Sequence, residues 1–274
     1  LGVSRPASQQ NADRDRSNAP AHALLPDALR KRVLHRLACQ RALHDPAQEP
    51  RNNDPRLLEL RRWQMQRLAK SFKRFVDDPV SRPAAEFFLT DLYGDHDFTG
   101  RDNDVARVLP KMMRLLPLQM IATAGDALAL SALSHALDMR MAVVLSSTLK
   151  ANQSIDASSY AAAYREVGHQ RLRREQIAFI ERIGSAIDAA VHTPTLWQLL
   201  KLSRLPAKLA GLSALQSFLE RGFGAFRVLG GAGDFVGTIV AQEIEVSRRL
   251  FAGEADPFAK VPRSATDRSK ISGS

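Results

Sequence analysis

Glu166 and His169 stand in the run Glu166-Val-Gly-His169, the E-x-x-H spacing that sets a carboxylate and an imidazole on one helical face, as carboxylate-bridged di-iron bundles require. Such a centre needs a second pair and two further carboxylates, and the sequence holds no second copy. Gly168 also sits where the helix can break, and a surface Glu and His satisfy the same spacing. No metal is assigned and no cofactor is implied. His135, inside the most apolar stretch, has the chemistry of a proximal haem ligand, and equally that of a core histidine hydrogen-bonded to Asp138 one turn on. His96 lies between Asp95 and Asp97 in a turn, where ordinary turn chemistry accounts for all three. Leu229-Gly-Gly-Ala-Gly-Asp234 has the glycines of a phosphate loop, but it follows a helix and lacks the Gly-Lys-Ser/Thr ending. No Gly-x-Ser-x-Gly elbow and no His-Glu-x-x-His pair is present.

The polar variety of the chain concentrates in Glu86–Asp104, a short aromatic helix running into a turn of Asp, His, Tyr and Arg. Thr99 and Asp102 have capping-box spacing. Asp97 and Arg101 flank Gly100 at a spacing that lets a carboxylate meet a guanidinium across the turn. Tyr93 has no such assignment and is the candidate to touch a ligand from the rim of the preceding helix.

The elements that must position these residues read as amphipathic helices throughout, with no strand. Pro26 opens the first, with Leu29, Val33 and Leu37 as its apolar stripe. Pro55 opens the second, which runs to about Val76 and sets Arg67, Lys70 and Arg74 along one face. Trp63 among its arginines is either a base-stacking platform or an aromatic at a helix–helix contact. Leu118–Leu149 is apolar on nearly every side, which predicts a central helix wrapped by others. The overlapping run Leu115–Leu137 would span a membrane by length, but Asp126 and His135 make it part of a core helix instead. Asp126 then needs a partner, and Arg107 or Arg114 on the preceding segment can supply one. A helix from His169 to Val191 has Leu172, Ile180, Ile183 and Ile187 as its inward stripe, and Asp234 is placed to cap the last helix. The expectation is an all-α bundle of eight or nine helices around Leu118–Leu149, spanning residues 24–253, with disordered tails at 1–23 and 254–274.

Composition narrows the function classes. The chain has 274 residues, is 45% hydrophobic and 25% charged, and carries one cysteine, Cys39, which excludes an intrachain disulfide or a cysteine zinc site. The N-terminal stretch has no apolar core of the kind a signal peptide needs, and a cytoplasmic location is the expectation. The net charge of +10 is uneven: from Asp27 to Arg82 there are 14 Lys/Arg against 7 Asp/Glu, while residues 83–252 have 18 against 17. A basic face on the first two helices fits an acidic protein or nucleic acid.

Phe87-Phe-Leu-Thr-Asp-Leu-Tyr-Gly94 with Asp97-Phe98 and Arg101-Asp102, and the later Phe218-Leu-Glu-Arg-Gly-Phe-Gly-Ala-Phe-Arg227 with Gly230-Gly231, resemble a family of all-helical bacterial proteins that carry a domain of unknown function. The resemblance covers about residues 55–255. It implies a bacterial source and an all-helical domain, and it brings no catalytic residues with it. The leading expectation is a non-enzymatic helical binding or interaction domain. The alternatives are a helical enzyme or cofactor carrier of haem-oxygenase-like or ferritin-like type, and a nucleic-acid-binding protein.

Overall fold

The computed structural model describes residues 26–92, 99–113 and 117–259. Among them are twelve α-helices and no strand: α1 Pro26–His44, α2 Pro55–Ser71, α3 Lys73–Asp77, α4 Arg82–Glu86, α5 Thr99–Met112, α6 Leu118–Thr148, α7 Ala157–Val167, α8 Gln170–Val191, α9 Pro194–Leu202, α10 Arg204–Leu209, α11 Ser213–Val228 and α12 Gly233–Ala252. A 3-10 turn at Pro50–Asn53 leads into α2, and α4 runs into a π-helical segment at Phe87–Leu92. The number exceeds the eight or nine read from the sequence, and two of the added helices come from breaks in long periodic stretches. Phe72 separates α2 from α3, and Ser203 separates α9 from α10.

Local chemistry explains the starts. Asp54 caps α2, its carboxylate accepting from Arg56 N at 2.9 Å with Pro55 in the first turn. Asp156 and Ser159 form a reciprocal capping box on α7. Asp234 does not cap α12. The carboxylate of Asp188, near the end of α8, takes that place and accepts from Ala232 N at 2.7 Å and Gly233 N at 3.0 Å. Those two N–H donors hold the Asp188 carboxyl below the usual carboxylate range, and Gly231, at φ 149°, gives the backbone room to approach it. The glycine-rich run at 229–234 is thus a loop whose anion is supplied from within the chain.

The 31-residue helix α6, about 46 Å long at the usual rise, is the axis. It touches α1, α2, α7 and α8. By length and composition α6 is long and apolar enough to cross a membrane, and here those four helices pack against it. α1 lies close because Gly125 faces Val33, where a Cβ would come within 2.7 Å of Val33 Cγ2. Asp126 is paired, though not with Arg107: Arg36 of α1 and Arg182 of α8 each reach it at 2.9 Å. Arg107 instead meets Asp104 and Gly211 O, and Arg114 lies outside the described residues. Across α8 a second layer forms from α12, α11 and the α4 segment, packed around Phe72, Phe87, Phe88, Phe226 and Phe235. α9 and α10 lie on α11.

The inward face of α8 is turned from the expected one. Leu172 is exposed, and Arg173, Ile177, Phe179 and Gly184 are buried, with Ile180 and Ile187 beside them. At the other end the packed chain runs past the expected boundary at 253. Pro257 is buried, and Phe258 lies edge-on to both Trp63 and Tyr160, at 5.6 and 5.8 Å. Two apolar residues at that point offset the cost of ordering the segment.

Candidate functional site

Among the described residues, those singled out in the sequence do not come together at one place. α7 ends at Val167, Gly168 turns at φ 66° and His169 at φ 55°, so Glu166 lies in the last turn of α7 while His169 stands at the N-cap of α8, and both are exposed. His169 Nε2 meets Arg140. No cluster of three His, Cys, Asp or Glu side chains with metal-binding geometry occurs among the described residues. Tyr93 and Asp97 lie outside the described residues. Thr99, Arg101 and Asp102 fall on the first turn of α5, with their side chains likewise outside. Of the proposed basic face, Lys70 and Arg74 are exposed, but Arg67 turns inward and grips Glu243 of α12 in a two-pronged ion pair. Trp63 is at a helix contact: its ring stacks on Tyr160 at 4.3 Å.

What converges instead is a seam of polar side chains through the bundle interior. It begins at His135, which is 3% exposed and stacks on His44 at 4.1 Å. Its partner is not Asp138. Nε2 faces two acceptors, Asn52 Oδ1 at 2.7 Å and Leu43 O at 3.1 Å, while Nδ1 faces the Arg61 guanidinium, which can only donate. The pattern assigns the proton to Nε2 and leaves Nδ1 as acceptor. A second proton would set N–H against N–H in a buried place. Burial first, and then the nearby His44 and Arg61, lower the His135 pKa from 6.5 to about 3.

That shift has a sign. The folded pKa lies below the unfolded one, so the unfolded chain binds the extra proton, and stability present above about pH 6.5 is lost as pH falls toward about 3. Urea unfolding of the parent and of His135→Gln between pH 7 and pH 4 should show the parent losing stability faster, by up to about 1.4 kcal/mol per pH unit. Parallel curves would remove His135 as the cause.

From Arg61 the seam continues to half-buried Asp138, which accepts from Gln64 Nε2 at 3.0 Å and whose carboxyl is pushed up by burial. Beyond it a cavity of about 60 Å³ opens between α2, α7, α8 and α12, lined on its polar side by Gln64, Arg67, Tyr160, Tyr164, Arg173, Gln176, Glu243 and Ser247. Tyr164 shares a hydrogen bond with Ser247 at 2.9 Å, and burial pushes its phenol up to about 12; Tyr160 is raised by burial as well. Both therefore stay neutral hydroxyls at any ordinary pH.

Arg173 is the residue that sequence reading missed, and it is 4% exposed. Its guanidinium lies over the Tyr164 ring at 4.4 Å, touches Met141 Sδ at 3.0 Å and reaches Gln176 Oε1 at 3.4 Å. Nε has no hydrogen-bond partner, and no carboxylate pairs with this cation among the described residues. One signal in the sequence pointed to it: Arg173, Ile177, Ile180 and Gly184 share the spacing of one helical face, with a charge where an apolar residue belongs.

An all-α bundle with a charged and hydroxyl-lined interior is the class that the fold and the site define. The chain belongs to the family of the domain of unknown function DUF8198, whose model matches residues 43–257. No curated protein and no solved structure matches it.

Proposed function

We propose that the protein is a non-enzymatic binding domain whose interior receives the oxyanion head of a small ligand, a carboxylate or phosphate group, at Arg173. The observation that carries this reading is the buried guanidinium of Arg173 without a carboxylate partner among the described residues. The Tyr164 ring, Gln176 and Met141 meet it, and Asp138 feels its charge, but burial of a cation without a carboxylate in ion-pair contact still costs free energy. An anion in the adjoining cavity removes that cost. The surroundings agree in sign. Arg61, Arg67 and Arg173 bring three positive charges to the seam, against Glu243 and an Asp138 that burial drives toward its neutral form. The hydroxyls of Tyr160 and Tyr164 stay protonated, and the Tyr164–Ser247 pair, which spends one proton on its own hydrogen bond, has the other left to donate. At about 15 Å³ of such volume per water molecule, the cavity has room for a four- or five-atom head and not for a nucleotide.

The test is thermal unfolding with increasing inorganic phosphate and, separately, acetate. Saturable stabilisation is expected for the parent and should vanish in Arg173→Met. That variant should be at least as stable as the parent without anion, since it replaces an uncompensated charge by an apolar chain of similar length. An Arg173→Met variant that loses stability and still responds to anion would make Arg173 a packing residue and overturn the reading. An acidic partner on the first two helices is a second reading. It would meet the exposed Lys31, Arg32, Lys70 and Arg74 rather than Arg67, and its affinity would fall steeply with salt.

A further inference from the structure

α9 and α10 present a face that the bundle does not use. Leu199 and Leu202 on α9 are 63% and 76% exposed, and Leu205 and Leu209 on α10 are 65% and 80% exposed. Their spacings, three residues on α9 and four on α10, are those of one helical face in each. Four leucines at that exposure within eleven residues of chain form an apolar patch that water does not favour. The charge that this stretch of chain itself carries is of one sign. From Ala189 to Leu219 there is no Asp or Glu, while Lys201, Arg204 and Lys208 interleave the leucines. Arg204 is held by Glu220 at 2.6 Å, which leaves Lys201 and Lys208 to set the local potential. At the edge of the patch Trp197 stacks on Phe223 at 5.4 Å, with Lys201 Nζ 4.8 Å and Arg227 Cζ 5.5 Å from its ring centroid.

We infer that this face docks on an anionic lipid surface. Leucines entering the boundary between headgroups and acyl chains, lysines reaching the lipid phosphates from the same helices, and a half-buried tryptophan at the rim are the parts of an interfacial amphipathic segment. A second copy of the chain fits less well, because a two-fold contact through these leucines gathers two sets of Lys201 and Lys208 in one interface, and residues 189–219 hold no Asp or Glu to meet them. The lipid reading needs no property of the interior cavity and stands apart from the anion proposal.

Flotation of the full chain with vesicles tests it, using phosphatidylcholine alone and phosphatidylcholine mixed with phosphatidylglycerol. Binding is expected on the mixed vesicles, with a blue shift of tryptophan fluorescence and loss of binding as salt rises. Leu202→Ser with Leu209→Ser should weaken binding about tenfold or more at an unchanged melting temperature. Lys201→Gln with Lys208→Gln should abolish the preference for anionic vesicles. Absence of binding to the mixed vesicles, or equal binding to both kinds, would overturn the inference. So would a concentration-dependent dimer that the leucine substitutions dissolve, since it would give the face to a second copy.

Discussion

Glu243→Ala is expected to lower the stability of the fold by about 3–5 kcal/mol, the usual cost of removing one partner from a buried ion pair. Arg67 and Glu243 join α2 to α12, with side chains only 11% and 16% exposed, and both oxygens of the carboxylate are engaged. The loss is not the value of the pair. It is the cost of leaving the Arg67 charge in a place where water barely reaches, beside the ring of Phe258 at 5.6 Å. At roughly 2–4 °C per kcal/mol for a chain of this size, the melting temperature should drop on the order of 10 °C. The double variant Arg67→Met with Glu243→Leu should regain most of the loss, because it removes both charges and fills the space with apolar atoms. A single variant within about 1 kcal/mol of the parent would mean that the pair behaves as a surface contact.

Gly184→Ala should be the second most damaging of these changes, by about 2 kcal/mol net. In an isolated helix the same substitution stabilises by up to about 1 kcal/mol, so the sign of the result is itself informative. The new Cβ would lie 2.4 Å from Val236 Cγ1, 2.8 Å from Cγ2 and 2.9 Å from Cβ. A rotamer change can move the two methyl groups, but the Cβ of Val236 moves only with the backbone of α12. α8 and α12 must therefore part, and the phenylalanine cluster between them loosens. Val236→Ala in the Gly184→Ala background should recover part of the loss. Denaturant unfolding of the two single variants and the double variant decides the matter. A stabilised Gly184→Ala would show that α8 and α12 leave room for a methyl group between them.

The helices were legible because each carries its own apolar stripe, its own proline start or its own glycine stop. The central position of α6 was legible for the same reason: a helix apolar on most sides has to be surrounded. The need of Asp126 for a partner was also readable, since burial of a carboxylate has a known cost. Which arginine supplies it was not, because Arg36 and Arg182 lie far from Asp126 in sequence and only the packing of α1 and α8 brings them there. The rotation of α8 was missed for a related reason. Counting apolar residues puts Leu172 inside and Arg173 outside, and the count reverses only when the polar seam opposite is known. The E-x-x-H pair failed at one residue, Gly168, whose positive φ ends α7 between its two members. Two of the twelve helices among the described residues were missed because Phe72 and Ser203 break stretches that each read as one helix.

The segment after α12 has a mechanical meaning. Phe258 seats against Trp63 of α2 and Tyr160 of α7, and Ala259 O accepts from Arg249 of α12 at 2.8 Å. A pull at this end of the described chain is therefore shared among three helices as shear, rather than concentrated on the last turn of α12. Peeling α12 from its C-terminal end has to begin by unbuckling that clasp, and the Arg67–Glu243 pair lies directly behind it. Residues 254–259 act as a strain relief for the bundle.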